Sequence, residues 1–259
     1  MSVSITNPAG QDGKTTVRTL SIAAPAYNEG AGIERVVTDW LTYLRTVSHL
    51  ESFEIVVCND GSRDNTGALL DGMAASNPEL KPVHLPQNQG AAAALTQAIR
   101  STTKDWVLLI DSDGQFPIEN LGAMVAAIGT SGKPAAIGVR QKKDTAFARF
   151  GTWSSGALCN LFHRTHYRDF NSAFKLVAGP LMRSVTLEAK GLNYSTEITS
   201  RLLERRAEMV EVEIEHRPRI AGTSSMRLIR GSIHRFLFVF YIGVRQLLLR
   251  MQILQRPSS

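Results

Sequence analysis

The chain has 259 residues, 43% hydrophobic and 20% charged, and its lysines and arginines outnumber its acidic residues by 29 to 23, a net charge of +6. These values exclude collagen-like, low-complexity and intrinsically disordered chains. Two cysteines, Cys58 and Cys159, are too few for a disulfide framework and fit a reducing, cytoplasmic setting. The positive charge alone is compatible with nucleic acid, an anionic membrane or phosphate-bearing substrates, so its distribution has to separate these partners.

The start of the chain predicts no targeting segment. Residues 1–17 are polar, lack the apolar core of a signal peptide, and are expected to form a flexible N-terminal arm. The longest apolar run, residues 236–244, is far shorter than the roughly 20 residues that span a bilayer. We therefore expect a soluble or peripheral protein.

From residue 18 onward, short apolar segments alternate with helical patterns. The predicted strands are 20–24, 53–58, 82–85, 106–110 and 135–139, and the predicted helices between them are 33–44, 64–75 and 91–99. Apolar strands separated by helices are typical of a parallel sheet covered on both faces. The sequence thus predicts a Rossmann-like α/β domain with a mostly parallel sheet flanked by helices.

Polar clusters follow three of the predicted strands, at residues 25–29, 59–62 and 111–115. Ligands of such sheets bind outside the carboxyl ends of the strands. Asp111 and Asp113 stand at alternate positions and repel each other unless a cation or donors intervene, and Mg²⁺ or Mn²⁺ prefers such oxygen ligands. Turn chemistry alone also explains residues 59–62, and a solvated acidic turn would explain the two aspartates. The chain lacks the glycine-rich dinucleotide and Walker A motifs, so a nucleotide here would be held by carboxylates and a metal.

The ordered series of motifs at residues 25–29, 59–66, 88–90 and 111–117 resembles family 2 glycosyltransferases of the GT-A fold. Within that family it most resembles the dolichyl- or polyprenyl-phosphate mannose and glucose synthases. The resemblance implies a GT-A domain over residues 18–225. It implies that the nucleotide-sugar donor is bound by Pro25, Tyr27, Glu29, Asp60, Asp111 and Ser112, and that Mg²⁺ or Mn²⁺ is held by Asp111, Asp113 and Gln115.

Cations follow the fifth predicted strand, where a solvated basic loop is the default interpretation. The family resemblance implies instead that Arg140 and Arg149 bind the phosphate of the acceptor, and guanidinium groups suit this because they bind phosphate oxygens in a bidentate manner. It also implies that Arg219 faces the donor diphosphate and that Asp169 lies in the site. A hydroxyl acceptor would need a general base, for which Asp169 and Asp144 are the candidates.

Residues 226–256 predict an amphipathic basic helix. Phe240, Val244 and Leu247 fall on one face of it, and Arg245 lies broadly opposite. Such a helix suits an anionic membrane surface, and packing on the domain or on another subunit of a homo-oligomer is the alternative.

The resulting functional hypothesis is an inverting hexosyltransferase. It would move a hexose from GDP-mannose or a UDP-hexose to a polyprenyl or dolichyl phosphate, in the cytoplasm or peripherally at the cytoplasmic face of a membrane. A family 2 enzyme acting on a soluble hydroxyl acceptor and a nucleotidyltransferase are the enzymatic alternatives. A nucleic-acid-binding module is disfavoured, because the cations lie in loops beside carboxylate clusters and no aromatic-rich basic strand appears.

Overall fold

The structure is a computed structural model that describes residues 16–141, 146–189, 193–217 and 228–254, with the side chains of α5 and α8 described from residues 154 and 237. The strands are β1 (Thr19–Ala26), β2 (Ser52–Asn59), β3 (Leu80–His84), β4 (Trp106–Leu109), β5 (Ala135–Arg140), β6 (Lys175–Ala178) and β7 (Met209–Ile214). The helices are α1 (Ile33–Thr46), α2 (Thr66–Ala74), α3 (Ala91–Arg100), α4 (Asn120–Ser131), α5 (Ala146–His163), α6 (Gly179–Arg183), α7 (Tyr194–Glu204) and α8 (Leu228–Arg250).

The strands form one sheet in the order β3-β2-β1-β4-β6-β5-β7. β1 pairs in parallel with β2 and β4, β2 with β3, and β5 with β7, whereas β6 runs antiparallel to both β4 and β5. The predicted α/β fold with a mostly parallel sheet is confirmed. The sequence patterns gave no prediction of β6 and β7 as strands.

The core lies on both faces of the sheet. Ile22, Ile55 and Leu108 are fully buried, which explains why their strands show apolar runs rather than alternation. Helix α1 covers one face with apolar residues at helical spacing, among them Val37 and Trp40. Burying one valine, leucine or isoleucine side chain contributes about 1.5–3 kcal/mol to folding. The sheet is thus a rigid support for the loops at its carboxyl edge.

The C-terminal helix α8 packs alongside α5. Val239 shares a small buried cluster with Cys159 and Phe170, and Gly243 lies directly against the Phe162 ring. The side chain of Arg245 donates to Glu204 of α7 at 3.0 Å. The predicted basic outer face is therefore wrong at Arg245, which turns toward the domain, whereas Phe240, Val244 and Leu247 are exposed.

Two expectations about the chain's ends fall largely outside the described residues. Of the predicted N-terminal arm, residues 1–15 are not described, and the predicted domain boundary at residues 225 and 226 falls in the undescribed range 218–227. Among the helices that the structure describes, none is long and apolar enough to cross a membrane.

Candidate active site

The three polar clusters meet at the carboxyl edge of the sheet, because β1, β2 and β4 are parallel neighbours. The Ser112 hydroxyl donates to the Pro25 carbonyl at 2.7 Å and so joins the loops after β4 and β1. The Glu29 amide donates to Thr66 Oγ1 at 2.9 Å, which joins the β1 loop to the start of α2. Tyr27 lies exposed at the rim. The predicted donor-binding residues Pro25, Tyr27, Glu29 and Ser112 thus share one edge, although the Ser112 hydroxyl is occupied in holding that edge together.

Asp60 organises the next loop. Its buried carboxylate accepts hydrogen bonds from Asn88 Nδ2 at 2.9 Å and from the amides of Gln89 and Gly90 at 2.7 and 2.8 Å. Gly61 follows with φ +62°, and a Cβ at that position would collide with the Gln87 backbone. This close approach requires glycine. Asp60 therefore has a structural role in this turn in addition to its predicted contact with the nucleoside, because its carboxylate fixes the 88–90 loop.

The two aspartates after β4, the predicted metal ligands, lie in the loop at the carboxyl edge of the sheet. Asp113 is nearly buried and accepts a hydrogen bond from the Gln115 amide at 3.0 Å. The Tyr194 hydroxyl, from the first residue of α7, donates to Asp111 Oδ1. Burial, with Asp111 close by, raises the pKa of Tyr194 well above its usual value, so the phenol stays protonated and remains a donor.

The donor set fits a hard divalent cation. Asp111, Asp113 and Gln115 offer oxygen atoms, the ligand type that Mg²⁺ and Mn²⁺ favour. Within the part of the chain that the structure describes, no three His, Cys, Asp or Glu side chains gather as a metal cluster. As the metal ligands that the family resemblance implies, these three residues would supply two carboxylates and an amide.

A second segment reaches Gln115 from the end of β7. The Arg217 amide donates to the Gln115 carbonyl at 2.8 Å, and Gln115 Nε2 donates to the Arg217 carbonyl at 3.4 Å. His216, just before it, is half-buried and packs edge-on against the Phe116 ring, with the ring centres 4.9 Å apart. Arg219, predicted to face the diphosphate, lies outside the described residues, but the chain two residues before it touches the predicted metal loop.

The two residues expected to serve the acceptor, Arg140 and Asp169, form an ion pair with each other. Arg140 Nε donates to Asp169 Oδ2 at 2.8 Å, and Nη2 donates to Oδ1 at 3.0 Å. Asp169 is fully buried, whereas one-fifth of the Arg140 side chain is exposed. The sequence carries no signal for this pairing. Arg149 lies in the first turn of α5, where side chains are not described, and Asp144 lies outside the described residues.

A fully buried lysine, Lys175, completes the charged interior behind the site. Its Nζ donates to the Ser172 carbonyl, and to Ser195 Oγ at 2.9 Å. Burial lowers the pKa of Lys175 to about 7, while the negative charge of Asp169 opposes that shift. The sequence carried a signal for Lys175, a charged residue in an otherwise apolar strand. It carried none for the contact of Tyr194 with Asp111, and Tyr194 is not among the site residues predicted from the sequence.

With this geometry established, the chain can be assigned to a family of enzymes. The family model described as "Glycosyl transferase family 2" matches residues 21–186, which is more than half of the chain. The chain belongs to glycosyl transferase family 2. The motifs at residues 25–29, 59–66 and 111–117 all lie within the matched range.

Individual relatives give a finer comparison. The chain is 24% identical over 218 residues to Glycosyltransferase AglD of Haloferax volcanii, covering 82% of this chain and 35% of that protein. It is 31% identical over 123 residues to a dolichyl-phosphate beta-glucosyltransferase of Trichomonas vaginalis, covering 45% of this chain and 36% of that protein. It is 32% identical over 108 residues to the bactoprenol glucosyl transferase of Shigella phage SfX, covering 41% of this chain and 34% of that protein. The chain thus spans about a third of the length of these relatives.

Solved structures share the fold. Glucosyl-3-phosphoglycerate synthase from Mycobacterium tuberculosis, in complex with Mn²⁺, UDP-glucose and phosphoglyceric acid, matches with a TM-score of 0.67 and 20% identity, over 88% of this chain and 80% of that chain. A second structure of that enzyme, with Mn²⁺, UDP and glucosyl-3-phosphoglycerate, matches with a TM-score of 0.63 and 20% identity, over 90% of this chain and 80% of that chain. At this identity the likeness shows the fold alone.

Proposed function

We propose that this chain transfers a hexose from a nucleotide-diphosphate sugar to a polyprenyl or dolichyl phosphate. The observation that carries the proposal is the Arg140–Asp169 pair. Both oxygens of the candidate base accept hydrogen bonds from Arg140, so the carboxylate orients a phosphate-binding cation instead of removing a proton from a hydroxyl. The dolichyl-phosphate and bactoprenol glucosyltransferases among the relatives support the same acceptor class.

The donor binds at the edge formed by β1, β2 and β4. Tyr27 and Glu29, with Pro25 and Asp60 behind them, form the nucleoside side, and Ser112 fixes the loops between which the nucleotide lies. Asp111, Asp113 and Gln115 hold Mg²⁺ or Mn²⁺, which, when bound, offsets the negative charge that develops on the departing nucleoside diphosphate. Mn²⁺ in the neighbouring enzyme's structures supports a divalent metal here. Arg219 shares the diphosphate charge, because the chain beside it touches Gln115.

The acceptor binds at the end of β5. Arg140, fixed by Asp169, and Arg149 hold the lipid phosphate so that one of its oxygens attacks the anomeric carbon. A phosphate monoester is already anionic near neutral pH, so the reaction needs no strong general base. The carbon–oxygen bond to the nucleoside diphosphate breaks as the new glycosidic bond forms on the opposite face, which inverts the anomeric configuration.

A lipid acceptor requires the enzyme to work at a membrane surface. We place it peripherally at the cytoplasmic face, because the two free thiols, Cys58 and Cys159, fit a reducing compartment.

The test is transfer by the purified chain from labelled UDP-glucose and GDP-mannose, with Mn²⁺ or Mg²⁺, to polyprenyl phosphate in detergent or to soluble hydroxyl acceptors. We expect transfer to the lipid phosphate. The Arg149→Ala variant should raise the KM for polyprenyl phosphate with little change in the KM for the donor, and Arg100→Ala, an exposed arginine at the end of α3, serves as the control. Transfer to soluble acceptors alone, or none from either donor by folded protein, would refute the proposal.

A further inference from the structure

The exposed side of α8 carries a narrow line of large apolar side chains. Leu237, Phe240, Val244, Leu247 and Met251 are 40 to 62% exposed and follow one another at intervals of three, four, three and four residues. The Met251 amide still donates to the Leu247 carbonyl at 2.9 Å, so helical geometry extends to the end of the line. Among residues 237–249 every exposed side chain is apolar or aromatic.

The opposite face of the helix is buried. Val239, Ile242, Gln246 and Leu249 lie at intervals of three, four and three residues, and this face packs on the domain. The charged side chain between residues 237 and 249, Arg245, pairs with Glu204 of α7. The helix therefore has a mostly apolar face that the domain covers and, opposite it, an exposed apolar line.

The spacing of the exposed line indicates what covers it. A lipid surface favours a wide apolar face flanked by exposed lysines and arginines. The exposed line carries no exposed cation between residues 237 and 249, and its alternation of three and four residues, shared by the buried line that packs on the domain, suits packing against another helix. The five side chains of the line together expose on the order of 600 Å² of surface, at the upper limit for apolar patches on monomers. This area is near the roughly 800 Å² that each partner contributes to a standard protein–protein interface.

We propose that the chain forms a homodimer in which the exposed lines of two α8 helices pack against each other. A two-fold axis brings the same patch of both copies together, so the line has to complement itself. Leucine, phenylalanine, valine and methionine at the five positions satisfy that condition, since they bring no like charges together. Val244, the middle residue, lies opposite its own counterpart whether the helices pair in parallel or antiparallel.

The first experiment measures the mass of the full chain by sedimentation equilibrium. We expect a dimer, and we expect Leu247→Glu to raise its dissociation constant by about 30-fold or more, the effect of losing one central interface side chain. Ala123→Glu adds the same charge at an exposed position of α4 and should leave the dimer intact. A monomer at all concentrations, or a dimer that Leu247→Glu leaves unchanged, would overturn the proposal.

A second variant keeps the test independent of any folding defect in Leu247→Glu. Val244→Cys should form a disulfide-linked dimer under mild oxidation, and the native thiols Cys58 and Cys159 are buried, which keeps the background low. Ser76→Cys, exposed at the end of α2, is the control and should remain monomeric on denaturing gels. Equal cross-linking of both variants would contradict the proposal.

Vesicle flotation separates a second copy from a lipid surface. If the chain is a monomer that floats with neutral phosphatidylcholine vesicles, and Leu247→Glu loses that binding, the line binds lipid and the proposal is overturned.

Discussion

Replacing Asp169 by asparagine tests how much the buried ion pair with Arg140 stabilises the fold. The substitution keeps the shape of the side chain but removes its charge, which leaves the Arg140 guanidinium without a counter-ion at 2.8 and 3.0 Å. Removing one partner of a buried pair costs about 3–5 kcal/mol. Because Arg140 is one-fifth exposed and the amide oxygen still accepts a hydrogen bond, we expect the lower end, about 3 kcal/mol.

Urea unfolding with a shared m-value measures that loss, and the chain offers a matched control. Glu213 pairs with Arg168 at 2.9 Å, but both side chains are more than half exposed. Glu213→Gln should therefore cost no more than about 1 kcal/mol. If both variants lost the same stability, burial would not govern the strength of the Asp169 pair, and the reasoning would be refuted.

The pair also changes how activity data on the acceptor site are interpreted. From the sequence alone, a phosphate acceptor predicts that Arg140→Ala loses more activity than Asp169→Asn. Since Asp169 fixes Arg140, both variants should raise the KM for the lipid phosphate. The double variant Arg140→Met with Asp169→Leu should regain stability, because an apolar pair replaces a buried ionic one, while its KM for the lipid phosphate stays raised.

Three further outcomes are expected. Tyr194→Phe should weaken Mn²⁺ binding in the presence of UDP by about 10-fold in isothermal titration, because the hydroxyl orients Asp111; unchanged affinity would remove that role. Burial lowers the pKa of His163 from 6.5 to about 4, so the neutral ring stabilises the fold above pH 6.5 and that contribution is lost as the pH falls. Between pH 7 and 5 the free energy of unfolding should drop by about 2 kcal/mol from this group, and His163→Gln should remove that part of the drop. Gly61→Ala should cost at least about 1 kcal/mol in thermal unfolding, because of its positive φ and the nearby Gln87 backbone, and an unchanged melting temperature would contradict this.

The first half of the fold follows from local pattern. Apolar strands such as 53–58 and amphipathic helices such as 33–44 were predicted within a few residues of their bounds, since each buries a face that its own sequence marks. The polar clusters after β1, β2 and β4 were also placed correctly at one edge, because parallel neighbours end together. For this half, local patterns and one topological rule were sufficient.

The second half depends on long-range contacts that have no local signature. Arg140 and Asp169 are separated by 29 residues, and Tyr194 reaches Asp111 across 83 residues. The four residues of β6 are too short for a periodicity, and Lys175 at its start obscures the apolar pattern. The pairing of charges within the site could therefore be seen only in three dimensions.

The antiparallel strand β6 bears on the order in which the chain folds during synthesis. Strands β3, β2, β1 and β4 can pair with one another as soon as Leu109 has left the ribosome, although the other edge of β4 stays open until β6 is made. β5 pairs with β6 and β7, both made after it, so both of its edges stay open until Ala178 emerges and one stays open until Ile214 emerges. An unpaired apolar strand is a site for wrong pairing between nascent chains, and domains fold as synthesis proceeds. The nascent chain is thus most vulnerable to aggregation between the completion of β5 and that of β6.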